Sequence, residues 1–154
     1  MTATVSPVLC LPSDMAHPIM FDQADPLLGR LRGLALAFPD AAEKISHGHP
    51  AFFTSKVFAY YGGSVKVDGV YQRHEQSVLV LIDPDEREAL LEDDRCYQPA
   101  YLGASGWIGL DLAADTDWAE VEELLDASYR RTAGSRRVAA LDSRRPSIPR
   151  ESGS

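Results

Sequence analysis

The chain has 154 residues, with 15 Lys and Arg against 23 Asp and Glu, for a formal net charge of −8. That length supports one domain with a sizeable core, and 45% hydrophobic with 25% charged residues excludes a wholly disordered chain. No apolar run approaches the roughly 18–20 residues that cross a bilayer, and two cysteines, Cys10 and Cys96, are too few for a disulfide scaffold and suit a reducing cytoplasm.

The charge is unevenly spread. Residues 1–24 carry −2, residues 25–128 carry −11, and residues 129–154 carry seven arginines against Asp142 and Glu151, for +5. An acidic body therefore trails an arginine-rich tail, which a phosphate backbone would attract while the body repels it.

Residues 1–22 read as a flexible arm. Val5 to Leu11 is apolar, but no base precedes it and two prolines interrupt it, so it does not read as a secretory signal. Met15 and Met20 leave room for a later native start.

The first helix opens at Asp25-Pro26, an N-cap side chain followed by a proline where no amide is needed. Leu27, Leu31, Leu34 and Phe38 follow at helical spacing, and Pro39 stops the run. The stretch Glu43-Lys44-Ile45-Ser46-His47-Gly48-His49-Pro50 comes next. If extended, it sends His47 and His49 to one face as metal ligands could be, with His74 and Cys96 as conceivable partners. Gly48 and Pro50 make such a strand irregular, and a hydrogen-bonded structural pair is the simpler reading. Ser46 beside His47 does not make a nucleophile and base, because neighbours on a strand face opposite ways.

Lys56 to Tyr61 is a strand, with Gly62-Gly63 as a turn after it. Asp68-Gly69 between Val65-Lys66-Val67 and Val70-Tyr71 signals a hairpin. Val78 to Ile82 is a fully apolar central strand. Asp83-Pro84-Asp85-Glu86 has capping-box spacing and opens a short helix that ends in acidic Glu92-Asp93-Asp94. In Trp107 to Leu112, alternation puts Ile108, Leu110 and Leu112 on one face, with Trp107 and Asp111 on the other. Asp117-Trp118-Ala119-Glu120 caps a last helix whose stripe is Trp118, Val121, Leu125 and Tyr129, ending at Gly134. The order α-β-β-β-α-β-β-α predicts an α+β fold, an antiparallel sheet with helices on one side. The domain spans 23–134, and residues 135–154 read as a disordered Arg/Ser/Pro-rich tail, where Ser135, Ser143 and Ser147 among arginines suit a basophilic kinase.

No phosphate-cradling glycine loop, Cys-x-x-Cys pair or Gly-x-Ser-x-Gly elbow is present, so no catalytic residue or metal site is assigned. Ser46-His47-Gly48 with Pro50, Phe52-Phe53, Lys56 and Phe58 resembles the entry motif of the MmcQ/YjbR-like family. Asp83-Pro84, Pro99 with Tyr101 and Gly103, Gly106-Trp107-Ile108-Gly109, Asp117-Trp118 and Ser128-Tyr129-Arg130 continue the resemblance, in order, over roughly residues 25 to 134. The region from Gly62 to Gln76 departs from the family pattern. The resemblance implies an α+β fold, DNA binding through a double-wing arrangement, and no catalysis or cofactor.

A duplex binder needs about five phosphate contacts on one face, each adding about −0.9 to the log–log salt slope. The hairpin offers Lys66 and Arg73, with His74 as a helper. The tail offers Arg130, Arg131, Arg136, Arg137, Arg144, Arg145 and Arg150. DNA binding is therefore expected to be weak and tail-dependent. The alternative is a nonenzymatic module that binds a small ligand or a protein through Ser46, His47, Lys56, Tyr101 and Trp107. Trp107 is then either a stacking platform or a seal at one end of the sheet.

Overall fold

The computed structural model describes residues 21–144; the expectations for residues 1–20 and for Arg145, Ser147 and Arg150 lie outside them. Helix α1 is Pro26–Ala35, and Asp25 caps it by accepting from the Leu27 amide, a contact of a kind that contributes about 1 kcal/mol. Strands β1 (Ala42–Ser46), β2 (His49–Phe53), β3 (Val57–Val67) and β4 (Val70–Leu81) follow, then α2 (Pro84–Leu90), with Asp83 accepting from Asp85 and Glu86 amides. Strand β5 (Cys96–Tyr97), a 3₁₀ turn (Leu102–Ser105), β6 (Trp107–Asp111), α3 (Trp118–Thr132) and α4 (Ser135–Arg144) complete the chain.

The fold is α+β, as expected. One antiparallel sheet runs in the order β1-β2-β3-β4-β6-β5. Leu28, Leu31 and Ala35 of α1, Val121, Leu125 and Tyr129 of α3, and Leu141 of α4 pack on one face. They meet Phe52, Ala59, Tyr61, Val78, Val80, Ile108 and Leu110, which alternation turns inward, and Phe58, the extra residue where β3 shifts register against β2. Ser128, fully buried on α3, donates to the Phe58 carbonyl at 2.6 Å and accepts from the Leu81 amide at 2.9 Å, so it pins the helix to β3 and β4. The other face carries a smaller cluster, Leu79, Tyr97 and Trp107, flanked by Tyr60, Val65 and Leu102.

Three expectations are corrected. Gly62-Gly63 is not a turn: β3 continues through it with a register shift between Tyr61 and Gly63, a bulge made possible by Gly62 at φ 91°. The segment around His47 is a hairpin of two strands, β1 and β2, so the sheet has six strands, one more than the five expected. The tail is not wholly loose, because Ser135–Arg144 forms α4. Leu141 is buried, Arg137 pairs with Asp40 at 3.0 Å, and Arg144 donates to the Ala37 carbonyl at 3.1 Å. Val138 and Leu141 make a narrow apolar stripe that the surrounding arginines hide in the sequence.

Candidate functional site: a groove between two hairpins

Successive antiparallel pairing puts the β1–β2 and β3–β4 turns at the same end of the sheet, with the β2–β3 turn at the other. Both turns have positive φ at their two central residues, His47 (53°) with Gly48 (86°), and Asp68 (52°) with Gly69 (80°). That backbone matches the twist of the flanking strands. The second hairpin is longer. Pairing with β2 reaches Tyr60 and pairing with β6 reaches Ser77, so Gly63–Val67 and Val70–His74 extend past their neighbours as a two-stranded arm.

Between the hairpins lies a groove of about 700 Å³. The first hairpin contributes Ser46, His47 and His49, and the arm contributes Gly62, Gly63, Ser64, Tyr71 and Arg73. Tyr60 and Leu79 also line it, and Pro99, Ala100, Tyr101 and Leu102 close its rim. The Ala100 amide donates to the Ser64 carbonyl at 2.8 Å, holding this rim across to β3. None of these lining residues is Asp or Glu, although the domain is acidic. Residues 42–76 hold four bases and three acids, for +1, whereas residues 77–128 hold two bases and fourteen acids, for −12. The negative charge belongs to the later half of the domain, not to the hairpins.

Three local devices shape the groove. A side chain at Gly62 would come within 2.8 Å of His49 Nδ1, so the glycine is what lets the imidazole lie against the bulge. Burial holds the His49 pKa below its ordinary 6.5, partly opposed by the Tyr61 backbone, so the ring is neutral at pH 7; its Nδ1 is buried without a hydrogen-bond partner. Tyr101 sits at φ 66°, ψ −60°, and the Leu102 amide donates to the Ala100 carbonyl at 2.7 Å. This is the rare, strained hand of the γ-turn. The strain presents an 80% exposed ring whose hydroxyl meets that of Tyr71 at 2.8 Å, the two rings lying 20° apart with centroids 6.0 Å distant. Lys66 Nζ lies 5.4 Å from the centroid of the Tyr71 ring.

Of the residues expected to hold a ligand, Ser46, His47 and Tyr101 come together here. Lys56 does not: it is exposed in the β2–β3 turn at the far end of β2. Trp107 lies on the face opposite the main core, as alternation predicts, but is 8% exposed and packs against Tyr60 at 5.2 Å. It is a seal and not a platform. Sequence reasoning missed Tyr60, Ser64 and Tyr71, because a bulge within β3 cannot be told from a turn and the arm's facing then shifts. His47 is a turn residue and His49 a strand residue, so the pair does not share a strand face. Among the described residues no three His, Cys, Asp or Glu side chains are grouped to hold a metal ion. His74 is instead bonded to Asp111 at 2.7 Å and stacked on Tyr97 at 4.0 Å.

The residues expected to meet DNA fall into two separate sets. Lys66 and Arg73 are on the arm. Arg130 and Arg131 follow Ser128, which touches Phe58 near the start of β3. Eight residues of strand, about 25 Å, separate Phe58 from Lys66. Arg130 pairs with Asp126 at 2.5 Å and Asp142 at 2.7 Å, and Arg137 with Asp40, while Arg131 and Arg136 are exposed.

A helix-backed antiparallel sheet with two hairpins projecting from one end defines a paired-hairpin α+β domain. The chain belongs to the YjbR family, whose family model matches residues 36–131. Among solved structures, the crystal structure of Deinococcus radiodurans protein DR2400, a DUF419 domain, is similar in fold. It is 16% identical, with a TM-score of 0.51, over 82% of this chain and 94% of that one. No curated protein matches the sequence. No helix among the described residues is long and apolar enough to cross a membrane.

Proposed function

We propose that this YjbR-family chain is a nonenzymatic binding module whose groove between the hairpins takes a small ligand with a flat, apolar body. The observation that carries this reading is the groove itself: about 700 Å³ with Tyr60, Tyr71, Tyr101, Leu79 and Leu102 among its walls and a few convergent polar groups. The Asp111–His74 pair, the arrangement most like a proton relay, does not line it.

Titration with naphthalene-2-carboxamide, followed by amide chemical shifts, tests the proposal. The expected result is saturable shifts confined to residues 46–49, 62–64 and 100–102, unchanged between low and high salt and abolished in the groove-filling Ala100→Trp. Shifts scattered over the surface, or none, would reject it.

DNA binding is a second reading, favoured by the paired hairpins and by the net negative charge of the domain falling in residues 77–128 and not in the hairpins. Its affinity would rest on salt-sensitive contacts from Lys66 and Arg73, supplemented by the distant arginines. Anisotropy of a labelled duplex at two salt concentrations checks it. Lys66→Gln with Arg73→Gln should weaken binding if the arm makes contact; an effect seen only with Arg131→Gln and Arg136→Gln would place contact at the other end. No binding at low salt would remove duplex DNA as a partner.

A further inference from the structure

We infer that the groove selects anionic aromatic compounds, a flat ring system bearing one carboxylate or a similar anion, with Arg73 as the group that reads the charge. This rests on the groove being a ligand site and adds the class of ligand. Three observations support it. Arg73 lines the groove, and no carboxylate shares that lining. The guanidinium is held only loosely, by one exposed contact of 3.3 Å to Glu75, with the two side chains 50% and 55% exposed. Such a contact is weak and readily exchanged for a better one. Finally, the Tyr71–Tyr101 pair supplies flat apolar surface at the mouth.

Glu75 then has a definite role. It belongs to a neighbouring hollow of about 400 Å³, beside Asp22, Asp25 and Gln76, and Arg73 lines both hollows. The Glu75 carboxylate competes with a ligand anion for the same guanidinium. Removing it should tighten binding of an anion, whereas removing Arg73 should weaken it. Opposite signs from two exposed positions cannot both come from unfolding.

The test compares naphthalene-2-carboxylate, naphthalene-2-carboxamide and 2-naphthylmethylammonium by the same shift titration. In the unaltered chain the carboxylate should bind about fivefold or more tighter than the amide, and the ammonium weakest, the size expected of a partly solvated ion contact. Arg73→Gln should bring the carboxylate down to the amide, and Glu75→Gln should raise the carboxylate alone. Equal affinities for all three probes would overturn the anion preference while leaving the groove as a ligand site. No groove shifts with any of them would overturn both.

Discussion

The Tyr61 hydroxyl donates to the Asp25 carboxylate, joining the β3 bulge to the residue that caps α1. Burial alone would raise the Asp25 pKa. The Tyr61 hydroxyl, the Leu27 and Leu28 amides and the Gln76 amide outweigh it, and the carboxyl titrates below its ordinary 3.8. A carboxyl held lower in the folded state than in the unfolded one stabilises the fold above the unfolded value. That contribution is lost as pH falls from about 4 through the folded pKa. Tyr61→Phe should cost about 1.5–3 kcal/mol at pH 7, the range for a hydrogen bond to a charged group. In urea unfolding, the difference between the variant and the original should shrink between pH 5 and pH 2.

Ser128→Ala should cost about 1–3 kcal/mol, because the Phe58 carbonyl and the Leu81 amide both lose their partner inside the core. Ser128→Thr is the companion measurement. It keeps the hydroxyl but adds a methyl at a fully buried site, so urea midpoints should show destabilisation from crowding.

Gly109→Ala should destabilise by about 1–3 kcal/mol. Tyr97 pairs with Gly109 across the ladder, and its ring lies over the glycine so closely that a Cβ would meet Cζ at 2.3 Å. Tyr97 cannot retreat freely, because His74 stacks on it and Ser77 bonds its hydroxyl at 2.7 Å. Near-ultraviolet circular dichroism should show the altered tyrosine signal alongside the lowered melting temperature.

Tyr101→Gly should be more stable than Tyr101→Ala by about 1 kcal/mol, since both lose the ring but only glycine accepts the positive φ without strain. Both should bind the groove probe more weakly than the original chain. Thermal unfolding and probe titration of the two variants measure strain and contact separately.

Where a residue type forces one local geometry, the sequence was plain. Asp25, Asp83 and Asp117 each cap a helix with the side chain, and Asp68-Gly69 makes its turn. The first hairpin was obscure because β1 reads Ala-Glu-Lys-Ile-Ser, an edge strand with no buried side to enforce alternation. Ser46, His47 and Tyr101 could be named through the family resemblance, yet their partners could not. Register across the β3 bulge decides which arm residues face them, and periodicity carries no record of an inserted residue.

The unequal division of charge has a consequence for how the molecule meets a partner. Asp83, Asp85, Glu86 and Glu88, just before and within helix α2, follow the end of β4 that is farthest from the hairpin tip. Glu92, Asp93 and Asp94 lead into β5, whose Cys96 pairs with Leu110. The two hairpins, with a net charge of +1 over residues 42–76, therefore belong to a domain whose residues 77–128 sum to −12. An approaching anion, small or polymeric, is repelled by that acidic body and not by the hairpins. This difference acts on the rate of productive encounter more than on the strength of the final complex. It fades as added salt shortens the reach of the field to about 8 Å at physiological strength.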